Sequence, residues 1–367
     1  MPSSRLPLYE QLAQRLRDEI AAGRLAECEY LPSERELTTE YDASRTTVRM
    51  ALQALQKAGY ICSEDRRGHR ILGRTPEAQS PAVCPVALIM PDLYTGLGRP
   101  VAAAIHAALG EAGLDLIAYD TSGPTLAAMI SRERDALAAV HTKRIPGLIW
   151  WPNTAGPASD VMHQMVSDQV AMVTLDHPIR GLNTEHVAID HAAAGAAAAD
   201  HLLEEGHRSI ALVAPPFLNA PMLQRQSGVT IAMGKSGAHG DTPDVLRWSA
   251  DAGERSKLVA LIAGPERPYT ALICLCDWLA VEVLLALCDH GAEVPNRVAV
   301  VGFDAAHEAD ILRPTLTTVV QPLAAIGSAA AHMALDRLER RFTGPCRSVT
   351  LPSELRVRGS SLPIAER

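Results

Sequence analysis

Ser44-Arg45-Thr46-Thr47 and Arg49 carry the most distinctive chemistry in this chain. On a helix, Arg45 and Arg49 lie one turn apart on one face. Guanidinium groups so placed can reach the paired acceptors of a guanine edge. The hydroxyls and free N–H groups of a first helical turn hold phosphate. Arg35 lies upstream, and the run Arg67-Gly68-His69 downstream could reach the DNA backbone or minor groove. Gly68 lets the backbone approach with no side chain in the way. Taken alone, the arginines also fit a solvated charged face, so the surrounding elements must decide.

Those elements read as a winged helix-turn-helix. Residues 7–22 carry an apolar stripe at Leu8, Leu12, Leu16 and Ile20, which predicts an amphipathic helix ending near Gly23. Pro32 introduces Ser33-Glu34-Arg35-Glu36, a capping box for a short helix through Tyr41. After the break Asp42-Ala43-Ser44, a third helix buries Val48, Leu52 and Leu55 and ends at Gly59. Tyr60–Cys62 and Arg70–Leu72 then flank a polar tip, as in a β-hairpin. A helix that follows a capped short helix and precedes a basic hairpin favours DNA over the solvated face.

Charge agrees with that placement. The net charge is −8, but residues 1–74 hold 12 basic against 11 acidic side chains, and the remainder 22 against 31. Residues 44–74 hold seven basic and two acidic groups, a local +5 that can grip phosphates. With 47% hydrophobic and 21% charged residues, the composition is that of a globular protein with real cores. Seven cysteines without a CxxC pair point to reduced thiols. The first residues lack an apolar signal core and no stretch reads as a membrane span, so a cytoplasmic protein is expected, nucleoid-associated when on DNA.

No catalytic set emerges. GKSG at 234–237 fails as a phosphate loop because Val229 stands where Gly is needed, and GLG at 96–98 runs on into Arg-Pro-Val. There is no GxSxG or HExxH, and the 13 histidines show no ligand spacing. No metal or cofactor is expected.

Residues 73–84 are rich in Pro, Ser and Gly and lack periodicity. The reading is a domain at 1–74, a linker at 75–84 and a second domain at 85–367. From residue 85, short apolar strands alternate with helices: Val86–Met90, Leu114–Tyr119, Gly147–Trp150, Ala171–Leu175, Ser209–Val213, Ala271–Cys274, Val298–Val301 and Thr317–Val320. Such alternation implies α/β architecture with parallel sheet, large enough for two lobes. The first lobe is placed at about 85–188 and 322–343, the second at 189–321 and 344–360.

The segment LPSERELTTEYDASRTTVRMALQALQKAGYI makes residues 7–72 resemble the DNA-binding domain of the gluconate-repressor (GntR) family. That resemblance implies DNA contacts from Arg35, Arg45 and Arg49, with Thr47 and Gly68 assisting. The family's Gly-x-Gly wing tip is a single Gly in RRGHR. Three further pieces, GLIWWPN, VAIDHAAAGAAAADHLLEEGHRSIALVAPP and VAVVGFDAAHEADILRPTLTTVVQP, resemble the effector domain of lactose/galactose-repressor (LacI) regulators, which has a periplasmic-binding-protein fold. Together the two parts resemble the arabinose-responsive repressor subgroup.

By that resemblance the effector site is a cleft between lobes. Arg225 would clamp hydroxyls or a carboxylate through its planar fork. Asp176 and Asp304 would accept from ligand hydroxyls, Trp248 would offer a flat apolar face, and Trp151 would begin a cleft-lining loop. Asp92 and Gln321 complete the set. Where the family has Asn-Asp this chain has Cys276-Asp277, and a thiol lacks the two-sided hydrogen bonding of an amide. The resulting expectation is a homodimeric regulator, a repressor, on a pseudo-palindromic DNA operator, controlled by a small polar effector such as a sugar. The alternatives are a sugar receptor or sugar-modifying enzyme with no DNA role, and a ligand-independent architectural DNA binder.

Overall fold

A computed structural model describes residues 7–21, 30–57, 60–64, 68–71, 85–94, 96–154, 156–236, 242–266, 268–304 and 311–362. The chain divides into two units, Met1–Val83 and Cys84–Arg367. The expected linker at 75–84 lies outside the described residues, as does Arg67.

The first unit holds helices α1 (Leu8–Ala21), α2 (Glu34–Glu40) and α3 (Arg45–Lys57), then the antiparallel hairpin β1 (Ile61–Glu64) and β2 (Gly68–Ile71). Its core is Leu12, Leu16, Ile20, Leu37, Val48, Leu52, Leu55, Ile61 and Ile71. Leu8 departs from the expected stripe and is 73% exposed. A spacing of four drifts about 40° per step on a helix, so Leu8 has rotated off the face that carries Ile20, and Ala13 is buried in its stead.

The second unit contains two six-stranded sheets. The first runs β13-β7-β6-β5-β3-β4, from β3 (Val86–Met90), β4 (Leu116–Asp120), β5 (Gly147–Trp150), β6 (Ala171–Leu175), β7 (Glu185–Ile189) and β13 (Ser348–Leu351). The second runs β14-β12-β11-β10-β8-β9, from β8 (Ile210–Ala214), β9 (Asp244–Arg247), β10 (Ala271–Cys274), β11 (Ala299–Asp304), β12 (Thr317–Val320) and β14 (Glu354–Arg356). All pairings are parallel except β12 with β14. Strands β3, β5, β6, β8, β10 and β11 are buried along their whole length, as central strands covered on both faces must be.

The chain passes between the sheets three times: after β7, after β12, and between β13 and β14. The sequence reading placed 344–360 wholly in the second lobe. Instead Ser348–Leu351 pairs with His186–Ile189 of the first sheet, and the crossing comes at residues 352–353. A four-residue edge strand offers too little periodicity to reveal its sheet.

Helices α4 (Gly98–Glu111), α5 (Leu126–Thr142) and α6 (Asp160–Ser167) connect strands of the first sheet, and α9 (Ala252–Ala263) connects β9 to β10. Helices α7 (His191–Glu204) and α8 (Ala220–Ser236) pack closely on the second lobe, and glycines set how closely. A Cβ on Gly195 would run into the Arg225 carbonyl oxygen, and one on Gly228 into that of Ala192. That contact brings the start of α7 against the first turns of α8, where the site is built.

Candidate functional site

In the first unit, Ser33 and Glu36 form the anticipated reciprocal cap on α2. Ser44 caps α3 by accepting from the Thr47 N–H at 3.1 Å, and its Oγ lies 2.8 Å from Thr47 Oγ1. Arg35, Arg45, Thr46 and Arg49 are exposed, and the first turn of α3 has no acidic residue. Arg49 Nε and Nη2 each lie 3.3 Å from Glu34 of α2. An exposed pair of this kind is worth about 0–1 kcal/mol, so it can be exchanged for a base or phosphate at little cost. Gly68 opens β2 with φ +98, a conformation that favours glycine. His69 is half-buried, and its carbonyl accepts from Leu31 N–H.

In the second unit a cleft of about 190 Å³ opens where the strands of both sheets end at their C-termini. Asp92, Trp151, Asp176, Arg225, Cys276, Asp304 and Gln321 all line it. Asp92 follows β3, Trp151 follows β5, Asp176 follows β6, and Asp304 ends β11. The three aspartates have positive φ (51, 70 and 103), which aspartate tolerates better than most residues. Backbone strain held at three cleft carboxylates is the pattern of a functional site.

The floor is a buried hydrogen-bond chain. Arg225 Nη2 donates to Asp304 Oδ1 at 2.7 Å, Nη1 donates to the Leu275 carbonyl at 2.7 Å, and Nε donates to His191 Nδ1 at 3.3 Å. With Nδ1 accepting, His191 Nε2 carries the proton and donates to Asp176 Oδ1 at 2.9 Å. Gln321 Nε2 donates to Asp304 Oδ1 at 2.7 Å, and the Arg225 guanidinium stacks 4.8 Å from the Phe303 ring centre. Burial opposes the charge on Arg225, but Asp304 and Asp176 more than offset it and hold the guanidinium charged. Burial would also raise the Asp176 carboxyl, yet hydrogen bonds from His177 and His191 win and hold it below the usual carboxylate range. Burial pushes the Cys276 thiol well up, so it lines the cleft as a neutral group.

Two expected cleft residues point elsewhere. Trp248 follows β9 and is buried in the second lobe, with Nε1 donating to Glu282 at 2.7 Å. Its indole is packing, anchored from α10 (Asp277–Asp289). Asp277, the first residue of that helix, is turned to the sheet and accepts from Thr318 Oγ1 at 2.8 Å. One position along a helix start separates it from Cys276, which does face the cleft.

The sequence reading did not assign Asn153, His191, Phe217 or Asn219 to the site. Asn153 Nδ2 donates to Thr121 and to Glu133, each at 3.0 Å. Burial raises the Glu133 carboxyl, opposed by the donors of Asn153 and Trp150. The signal for Asn153 was its place after β5; His191 lay hidden because β7 was unread. Apolar walls come from Met90, Leu97, Met129, Phe217, Met222 and Trp278. A roomier cavity of about 710 Å³ opens around Glu185, Arg337 and Phe342 at the opposite end of the first sheet. Glu185 there is paired with Arg337 (Nε to carboxylate, 2.6 Å), and the cavity lies away from the strand ends where such sheets bind ligands.

An exposed basic helix on a winged helix-turn-helix, with a two-lobed α/β receptor in the same chain, defines a ligand-binding DNA regulator. Residues 8–71 match the bacterial regulatory proteins, gntR family, and residues 199–361 match the periplasmic binding protein-like domain. The chain is a DNA-binding transcriptional regulator with a gntR-type DNA-binding domain and a periplasmic-binding-protein-like domain. It is 26% identical over 374 residues to the arabinose metabolism transcriptional repressor of Geobacillus stearothermophilus, covering 98% of this chain and 99% of that protein. It is 28% identical to the HTH-type transcriptional regulator DegA of Bacillus subtilis (strain 168), over 76% of this chain and 81% of that one. A LacI family transcriptional regulator from Enterococcus faecium, solved with bound ribose, superposes with a TM-score of 0.65 at 21% identity, over 77% of this chain and all of that one. Among the described residues no helix is long and apolar enough to cross a membrane.

Proposed function

We propose that this chain is a cytoplasmic repressor that grips a pseudo-palindromic operator as a homodimer, and that a sugar or sugar derivative in the cleft sets its DNA affinity. The observation that carries this reading is the buried chain Asp304–Arg225–His191–Asp176. Asp176 follows a strand of the first sheet and Asp304 ends a strand of the second, so a ligand touching this floor engages both lobes at once. Carboxylates, amides and indole or phenyl faces in one cleft suit a polyol, which offers hydroxyls and an apolar C–H face. The repression of arabinose metabolism by one relative and the ribose held by one structural neighbour support the same class.

Arg35, Arg45, Thr46, Thr47, Arg49 and Gly68 are the proposed DNA contacts. For the dimer, α10 presents Trp278 and Leu285, two turns apart on one face and each about half exposed (51% and 50%). Effector binding that differs between two arrangements of the dimer shifts DNA affinity, and the coupling is reciprocal. Relief of repression by ligand is the sign we adopt.

The test pairs two measurements on the full chain. Thermal shift against neutral pentoses and hexoses should reveal one stabilising sugar, and selection from random duplexes should yield a two-fold symmetric site. That sugar should then weaken binding to the selected duplex. A chain that enriched no duplex at low salt, with or without sugars, would end this reading.

A further inference from the structure

The cleft holds three carboxylates, Asp92, Asp176 and Asp304, against one guanidinium, that of Arg225. A cleft meant for a sugar acid or a sugar phosphate would keep an unpaired cation for the anionic end. Here the only lining cation among the described residues is already engaged. Its Nη2 is on Asp304, its Nη1 on the Leu275 carbonyl, and its Nε on His191. An anion that took Arg225 for itself would break the 2.7 Å pair and strand the Asp304 carboxylate, which is 6% exposed.

Helix N-termini at the cleft work the other way, because each carries partial positive charge. Two of them are already answered. Asn219 Oδ1 accepts from Met222 N–H at the start of α8, and Asp277 supplies a carboxylate in the first turn of α10. What these ends leave over can serve a hydroxyl oxygen as well as an anion. Apart from Asn153, Gln321 and Cys276, which are uncharged, the remaining walls, among them Phe217, Leu97 and Met222, offer apolar surface.

Building on the sugar reading above, we propose that the effector carries no anionic group: the cleft takes an uncharged or amine-bearing polyol and rejects the matching acid or phosphate ester. Arg225 therefore orders the carboxylates Asp304 and, through His191, Asp176, which receive the ligand's hydroxyl donors. It is not the anion clamp that its planar fork suggested.

The experiment is calorimetric titration of the full chain with matched pairs: D-galactose and D-galacturonate, D-xylose and D-xylonate, D-ribose and D-ribose 5-phosphate. Where a neutral member binds, its anionic partner should bind at least tenfold more weakly. In Asp304→Asn, which frees Arg225, that gap should narrow several-fold. Asp92→Asn removes a carboxylate without touching the buried pair, and should narrow the gap even if Asp304→Asn folds poorly. An acid or phosphate ester that binds as tightly as its neutral parent overturns the proposal and leaves the sugar reading standing. Failure of every member of every pair to bind ends the sugar reading, and the proposal with it.

Discussion

His191 Nε2 donates to Asp176 Oδ1 across 2.9 Å, with both side chains buried, at the first place where the chain leaves one sheet for the other. The same imidazole accepts from Arg225 on its far nitrogen, so one ring fixes a carboxylate of the first lobe and a cation of the second.

Replacing His191 with Ala should therefore cost about 1–3 kcal/mol, because a buried acceptor and a buried donor each lose a partner. The sign of its pH dependence follows from Asp176, whose folded-state pKa is depressed. That stabilisation is present above the unfolded value of about 3.9 and is lost as pH falls through the folded one. The gap in melting temperature between wild type and His191→Ala should be full at pH 7 and shrink on strong acidification. A constant gap across that range would show that His191 acts by packing alone.

Gly228→Ala places a methyl group where the Ala192 carbonyl oxygen sits. The added carbon must push α7 and α8 apart, at about 1–3 kcal/mol by comparison with other overpacked contacts. Because those helices carry His191 and Arg225, sugar affinity should fall although Gly228 does not line the cleft. Unchanged melting and unchanged affinity would show that the helices can separate freely.

Arg45→Ala and Arg49→Ala should each weaken specific duplex binding by about 1–3 kcal/mol. Glu34→Ala, which releases Arg49 from an exposed pair, should change fold stability by less than about 1 kcal/mol and should not weaken DNA binding. Fluorescence anisotropy on the selected duplex over a salt series measures all three. Loss of binding in Glu34→Ala would mean that the pair orients Arg49 for its base.

Burial lowers the pKa of three imidazoles in the second unit, His186, His201 and His207. A histidine kept neutral by the fold binds fewer protons than it does unfolded, so stability rises with pH up to the unfolded value of about 6.5. Thermal stability should accordingly fall as pH drops below about 6.5, and His201→Gln should soften that slope. A melting temperature flat from pH 7.5 to 5.5 would rule these groups out as its source.

Much of this was legible from residue types and spacing, and the limits have physical causes. The capping box at Ser33 and the burial of Val48, Leu52 and Leu55 follow from local rules, so they appear where periodicity places them. Asp176 and Asp304 were implied by the resemblance of their motifs and Asp92 by its place after the first strand, and the three converge where parallel strands end. Glu185–Ile189 was missed because its two leading polar residues break the apolar run, although Glu185 is 1% exposed and held by Arg337 and Arg347. Trp248 and Asp277 were implied by the resemblance, but direction is set by partners far along the chain: Glu282 for the indole and Thr318 for the carboxylate.

Strand β13 joins β7 across a gap of some 160 residues, which the Arg347–Glu185 contact spans as well. The first lobe therefore cannot complete its edge until residue 351 has left the ribosome, whereas the described core of the helical head lies within residues 12–71. During synthesis the DNA-gripping part should mature early and its receptor late, with a half-finished sheet margin open in between.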